Sequence, residues 1–306
     1  MTDRVLVISP VHNEAAHIER VVRAMAAQEH PPERWIVVDD ASTDDTPRIL
    51  RELAPEVPFM DVVSREPSPD LDAAPDRLAL AAAPRAFNAG LRVAGTAGFT
   101  HVMKLDGDIE LPPSYLRELL AAFAREPRLG LAGGVLVEPI GDRLVPIRIA
   151  PDHVHGAVKC YSAACLEAIG GIPECLGWDT LDEAYARMRG FDPRHLPQLV
   201  ATHHRPIGSA DGTLRGHARH GACAYLAHYP AYWVVARSAR VARRRPRAIS
   251  GAAFIAGYAA AVLRRQPRID DPELRRFVRR QLRLRVRREA GAAVMAVLVG
   301  RRPRRA

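Results

Sequence analysis

Two carboxylates separated by one glycine, Asp106-Gly-Asp108, close the apolar run Thr100 to Leu105. At a strand end this spacing turns both acids toward one hard cation, Mg²⁺ or Mn²⁺, and Gly107 is expected to give the backbone its turn. A cation held there would bridge a diphosphate and neutralise it as it leaves. A second acidic pair, Asp39-Asp40, ends the run Trp35 to Val38. Acids at that position accept hydrogen bonds from the base and ribose of a nucleotide, or else cap the next helix. Asp179, Asp182 and Glu183 stand close together after Gly177-Trp178, and His203-His204 follows a strand-like Gln198 to Thr202. Trp178 beside these acids either offers an aromatic face for stacking or belongs to a core.

These groups need a scaffold that brings strand ends together. Arg4 to Ser9 is an apolar run of strand length, and Pro10-Val-His-Asn-Glu14 then leads to the helical spacing Ile18, Val21, Val22, Met25. The unit repeats in Trp35 to Val38, followed by a helix over 47–53 with capping residues before it. Phe59 to Val63, an alanine-rich helix over 77–95, the strand Thr100 to Leu105, a helix over about 113–125 and the strand Leu129 to Val137 continue the alternation. Such alternation predicts a doubly wound, mostly parallel sheet, and in such sheets ligands bind at the carboxyl ends of the strands. The polar clusters Asn13-Glu14, Asp39-Asp40 and Asp106 with Asp108 all fall at that edge.

The 306 residues are 48% hydrophobic and 26% charged, as expected of a folded globular chain rather than a disordered one. No secretory leader pattern precedes the first strand, so the protein is expected in the cytoplasm. Cys160, Cys165, Cys175 and Cys223 have neither zinc-site nor disulfide-framework spacing and read as small apolar residues. The net charge of +9 is divided unevenly: residues 1–204 carry 20 basic against 30 acidic groups (−10), and residues 205–306 carry 24 against 5 (+19). A basic third of that density seeks phosphates, on a membrane surface or on nucleic acid.

In order and spacing, Val7-Ile-Ser-Pro-Val-His-Asn-Glu14, Val37-Val-Asp-Asp-Ala-Ser-Thr-Asp-Asp-Thr46, Asn88-Ala-Gly90 and Lys104-Leu-Asp-Gly-Asp108 resemble the family 2 glycosyltransferases, which are inverting enzymes with a GT-A fold. The resemblance spans roughly residues 4–205. It implies that Pro10, Glu14, Asp39 and Asp40 line a nucleoside pocket, that Arg85, Asn88 and Asp106 lie by the donor, and that Asp108, with Asp106, holds the metal. The stretch before Asn88, often glycine-rich in that family, reads Leu80-Ala-Ala-Ala-Pro-Arg85 here. Gly170-Gly-Ile-Pro and the acidic cluster carry the second half of the resemblance. It implies a base among Asp182, Asp179 and Glu183, with Asp182 preferred because it belongs to the acidic pair nearest Arg187, and an extra metal ligand in His203 or His204.

The expected organisation is a catalytic domain over 1–205 and a basic helical extension over 206–306. In the extension, Tyr225, Tyr229, Tyr232 and Trp233 alternate with basic residues, which suits a membrane interface or single-stranded nucleic acid. Ala248 to Leu263 and Ala290 to Val299 are too short to span a bilayer. Between them, Leu274, Phe277, Val278, Leu282 and Leu284 lie among arginines as in a basic amphipathic helix. The function expected is metal-dependent transfer of a sugar from a nucleoside-diphosphate donor to a sugar or lipid-linked acceptor, peripherally on the cytoplasmic face of an anionic membrane. A polyprenyl-phosphate acceptor is one alternative and a nucleic-acid-binding role another, although nucleic-acid binding leaves the acidic strand ends unexplained and is not expected. Pro10-Val-His-Asn-Glu14 is no dinucleotide-binding glycine loop, which argues against an oxidoreductase.

Overall fold

The computed structural model describes residues 3–72, 76–150, 153–205, 212–243 and 248–298, with side chains described except at 69, 72, 212, 213 and 287–298. The chain forms two compact units, Met1–Ser209 and Ala210–Ala306. In the first, β1 (Val5–Val11), α1 (Ile18–Ala26), β2 (Arg34–Asp39), α2 (Thr46–Leu53), β3 (Met60–Ser64), α3 (Pro69–Asp72), α4 (Ala82–Ala94) and β4 (His101–Leu105) alternate as the apolar periodicity predicts. β5 (Ile109–Glu110), α5 (Tyr115–Arg125), β6 (Leu129–Ile140), β7 (Arg143–Pro146), β8 (Val158–Ser162), α6 (Ala163–Ile169), α7 (Trp178–Met188) and β9 (Asp192–His203) follow.

The strands join one sheet in the order β3-β2-β1-β4-β8-β6-β9-β5, with β7 on β6. The first four strands of that order are parallel, because each pair is connected through a helix. Beyond β4 the sheet becomes mixed: β8 is antiparallel to both β4 and β6, and β9 runs parallel to β6. Alternate residues of the central strands feed opposite layers. Val5, Val7, Trp35, Val37 and Met103 pack with Ile18 and Val21 of α1 and with Leu116 and Leu119 of α5. Leu6, Ile8, Ile36, Val38 and Val102 pack with Phe87 of α4, Leu166 of α6 and Ala186 of α7. Burial on both faces is why these strands read as unbroken apolar runs rather than alternating ones. A methyl group added at Gly90 would come 2.7 Å from Ile8 Cγ2 and 2.9 Å from Val38 Cγ2, so α4 packs tightly onto the side chains of β1 and β2.

Three differences from the sequence expectation have local causes. The helix predicted from residue 77 starts at Ala82, because Ala81 is left-handed with φ +55° and a right-handed helix cannot pass through it. The strand predicted over 198–202 extends over Asp192–His203, paired along β6 with an irregularity at Gly134/Val135. β8 was hidden because Lys159 breaks its apolar pattern, although that lysine is fully buried.

The second unit contains α8 (Gly212–Leu226), α9 (Ala231–Val241), α10 (Ile249–Leu263) and α11 (Pro272–Leu298). A Cβ at Gly221 or at Gly257 would lie 1.9 Å from the carbonyl oxygen of Phe254 or Ala218 respectively, so α8 and α10 are in backbone contact. Two of the expected interfacial aromatics are core residues instead: Tyr225 and Trp233 are buried, whereas Tyr232 is exposed. Among the described residues no helix is long and apolar enough to cross a membrane. The side chains of Ala290 to Val299 lie outside the described residues.

Candidate active site

The loops after β1 and β2 are stitched together at the carboxyl edge of the sheet. Asn13, left-handed with φ +56°, accepts the Thr43 amide proton on Oδ1 at 2.8 Å, and its own N–H donates to Ser42 Oγ at 2.9 Å. The Glu14 amide donates to Thr46 Oγ1 at 2.7 Å. Asp39 accepts from the Ser42 amide at 3.1 Å, so it shapes the turn after β2 rather than capping α2. Asp40 is buried under two guanidiniums, those of Arg65 and Arg77, while His12 Nδ1 donates to its carbonyl oxygen at 2.8 Å. Pro10 is buried within β1. Pro10, Glu14, Asp39 and Asp40 thus form one cluster, and the sequence had not singled out the two arginines that neutralise Asp40.

Asp106 and Asp108 lie beside that cluster. Gly107 lies in the turn that the Ile109 amide closes on the Asp106 carbonyl at 3.2 Å, as expected, and makes it without a left-handed backbone. A methyl group there would come 2.7 Å from Val11 Cγ1 and 3.0 Å from Glu14 Cγ, so glycine is required for the close approach of the Glu14 side chain. Asp108 Oδ2 lies 3.3 Å from His203 Nε2. Burial alone would raise Asp108, but the hydrogen bond and charge of His203, with Arg205, hold its carboxyl below the usual range. Glu14 is pushed up to about 8 by burial and by Asp108, against the opposing pull of Arg205, whose guanidinium donates to Glu14 Oε2 at 2.7 Å. Asp106 is bonded by the buried Lys104, whose Nζ also donates to the Gly156 carbonyl at 3.0 Å.

The two histidines separate. His203, at the end of β9, is delivered to Asp108 because Ile109 of β5 pairs with His203 across the sheet. His204 turns away and donates from Nε2 to Glu110 at 2.6 Å. Among the described residues no three His, Cys, Asp or Glu side chains form a metal cage. A carboxylate paired with an imidazole is nevertheless a fitting donor set for a divalent cation whose other ligands come from a diphosphate.

Trp178, the first residue of α7, joins this centre to the acidic cluster. Its ring lies 5.2 Å from Lys104 Nζ and 5.5 Å from Lys159 Nζ, and it covers Gly156 so closely that a methyl group there would meet Trp178 Cζ2 at 2.9 Å. The three acids beyond it differ sharply. Asp182 is fully buried, receives Lys159 Nζ at 3.1 Å on both oxygens, and accepts the Tyr161 hydroxyl at 2.5 Å. Glu183 is 2% exposed and accepts His153 Nδ1 at 2.9 Å and the Val154 amide at 2.8 Å. Asp179, in the first turn, keeps 35% of its side chain exposed, with His153 Nε2 at 3.6 Å. Asp182, the base preferred from sequence, therefore has both oxygens engaged and no solvent contact, while Asp179 faces outward beside Trp178.

Arg85 and Asn88 lie on α4. Asn88 donates to the Ile172 carbonyl at 2.8 Å and to Glu174 at 3.0 Å, fastening α4 to the loop after Gly170-Gly171. Both keep a buried polar atom without a partner among the described residues, Arg85 Nε and Asn88 Oδ1. Lys104, Lys159 and His153 were missed by sequence reasoning. The available signal was a lysine inside an apolar strand, since lysine is almost never fully buried unless paired.

Residues 6–155 match the family described as glycosyl transferase family 2. No curated protein matches the sequence. Among solved structures, the chain is similar to the mannosyltransferase PcManGT from Pyrobaculum calidifontis, in complex with GDP-Man and Mn²⁺. That match has TM-score 0.55 and 19% identity, over 97% of this chain and 81% of that one. It is also similar to S. aureus TarS 1–349 in complex with UDP-GlcNAc, with TM-score 0.53 and 20% identity over 73% of this chain. The match spans 66% of TarS 1–349. At these identities the solved structures speak for the fold, and the family match speaks for the chemistry. With the strand-end acids, the motif order and the sheet in agreement, residues 6–155 form a glycosyl transferase family 2 domain, and the chain is a glycosyltransferase with a GT-A fold.

Proposed function

We propose that the protein transfers a sugar, with inversion, from a nucleoside-diphosphate donor to a hydroxyl acceptor, and that Asp179 is the general base. The observation that carries the choice of base is the contrast within α7: Asp182 is sealed by Lys159 and Tyr161, and Asp179 alone of the three is substantially open to an acceptor. In the reaction, Asp179 takes the proton of the acceptor hydroxyl as its oxygen bonds to the anomeric carbon. The bond from that carbon to the diphosphate oxygen breaks on the opposite face, and the electron pair leaves with the nucleoside diphosphate. Attack and departure on opposite faces invert the configuration. A divalent cation, held by Asp108 and His203, would neutralise the charge of the leaving diphosphate. Lys104 keeps Asp106 in place, and the loops carrying Asn13, Asp39 and Asp40 bind and orient the nucleoside.

The same reading assigns the second unit to an anionic membrane surface, so that a lipid-linked acceptor is met there. Two features support it. Arg275, Arg276, Arg280 and Arg283 are exposed on α11, opposite the buried Leu274, Val278 and Leu282. On α10, Ile249, Ile255, Val262 and Leu263 are exposed. Exposed arginines and exposed aliphatic side chains are the two kinds of group that a headgroup and acyl boundary takes up.

A donor screen tests the assignment. UDP-, GDP- and dTDP-sugars are added with and without Mn²⁺, and the melting temperature is followed, because a ligand bound only by the folded state raises it. The expected result is stabilisation by one nucleotide class that requires the metal. No stabilisation by any nucleotide sugar contradicts the reading.

A further inference from the structure

Between β7 and β8, His153 stands with each ring nitrogen toward a different carboxylate of α7. Nδ1 is 2.9 Å from Glu183 Oε1 and Nε2 is 3.6 Å from Asp179 Oδ2. A neutral imidazole has one N–H, so it would set a lone pair against one of these carboxylates. The doubly protonated ring satisfies both. We propose that His153 is the positioning residue for the base: its imidazolium, anchored on Glu183, holds and charge-stabilises the Asp179 carboxylate where the acceptor's proton is taken. The inference rests on Asp179 being the base.

The two ends of this bridge are unequal. Glu183 is buried and fixed three further times, by the Val154 amide at 2.8 Å, Lys159 at 3.5 Å and Arg187 at 3.6 Å. Asp179 keeps 35% of its side chain exposed, and the imidazolium carries the rigidity of the buried network outward to it. The same cation beside Asp179 favours its ionised form, the form a base needs. The groups around His153 accord with its charge. Asp179 and Glu183, together with Asp182, come from α7, and Lys159 comes from β8. The neighbouring His155 is pushed down to about 4, and His195 of β9 is lowered, in each case by burial and then by the charge of His153. Burial opposes protonation of His153 itself, but its two carboxylate partners raise it to about 9. His153 already carries its proton near neutral pH and takes none from the acceptor. Its work is orientation and charge.

The test compares the full chain with H153Q, D179N and the double variant. The reaction followed is release of nucleoside diphosphate from the nucleotide sugar that stabilises the protein best, with water as the nucleophile if no acceptor is in hand. H153Q is expected to lower kcat about 10- to 100-fold with an almost unchanged donor KM, the size of loss that a misplaced catalytic group gives. The acidic limb of its kcat profile should move to higher pH, because Asp179 loses the cation that favours its ionisation. The double variant should be no slower than D179N, since both changes act through one group. Wild-type rate and an unmoved acidic limb in H153Q, with D179N inactive, would overturn the role of His153 and leave Asp179 as base. Full rate in D179N would remove the base assignment and this inference with it. Independently of how any variant folds, ¹⁵N-histidine spectra of the wild-type protein should show His153 as imidazolium at pH 7, and a neutral ring there overturns the proposal.

Discussion

Lys159 Nζ lies 3.1 Å from each carboxylate oxygen of Asp182, and neither side chain reaches solvent. One lysine of β8 and one aspartate of α7 thereby fasten the helix that carries the acidic cluster to the centre of the sheet. Removing one partner of a buried pair strands the other without compensation, at a cost of about 3–5 kcal/mol. Lys159→Met should therefore destabilise the first unit by that order in urea or thermal unfolding. Unchanged stability would show that the pair contributes no structural constraint.

The same geometry separates the two aspartates of α7 experimentally. Asp179→Asn should keep the fold and donor binding while lowering turnover about 10²- to 10⁴-fold, the range that general-base catalysis supplies. Asp182→Asn should act mainly on stability, with residual turnover well above that of Asp179→Asn once the folded fraction is taken into account. The reverse ranking in single-turnover measurements would return the role to Asp182.

Stability should vary with pH through His153. Its folded value, about 9, lies above the ordinary histidine value of 6.5 expected of the unfolded chain. Its contribution is thus complete below about 6.5 and is lost as pH rises through about 9. A His153→Gln chain should not show this alkaline loss. Melting curves from pH 6 to 10 that fall equally for both proteins would show that His153 is not the group responsible.

Both central sheet layers and the acidic strand ends were legible in the sequence, because the parallel strands are buried on both faces and appear as apolar runs closed by polar residues. Asn13, Glu14, Asp39 and Asp40 came together for that reason, and the order of strand ends also placed Asp106 and Asp108 beside them. What was hidden depended on partners distant in the chain. The sequence favoured Asp182 over Asp179, because what seals Asp182 is Lys159 and Tyr161, which lie about twenty residues earlier on a strand with no clear pattern. Nor could the sequence decide between His203 and His204: a single residue of register in the β5–β9 pairing sends one toward Asp108 and the other toward Glu110.

The membrane assignment has a direct check. Replacing Arg275, Arg276, Arg280 and Arg283 with Gln preserves helix propensity and deletes four charges. This variant should bind vesicles of anionic lipid far more weakly than the wild type, whose own binding should fall as salt rises, because screening reaches about 8 Å at physiological ionic strength. Donor binding should be unaffected. Equal sedimentation of both proteins with the vesicles would show that α11 takes no part in docking.

The most direct test of the account is metal-dependent release of nucleoside diphosphate from the selected nucleotide sugar, measured for the wild type and Asp108→Ala across a Mn²⁺ titration. The account predicts a wild-type rate that rises to saturation with the metal and vanishes with chelator, and a variant that stays folded but shows no metal-dependent rate at any concentration. A wild-type rate indifferent to metal and chelator, or an Asp108→Ala protein that follows the wild-type titration, would contradict it.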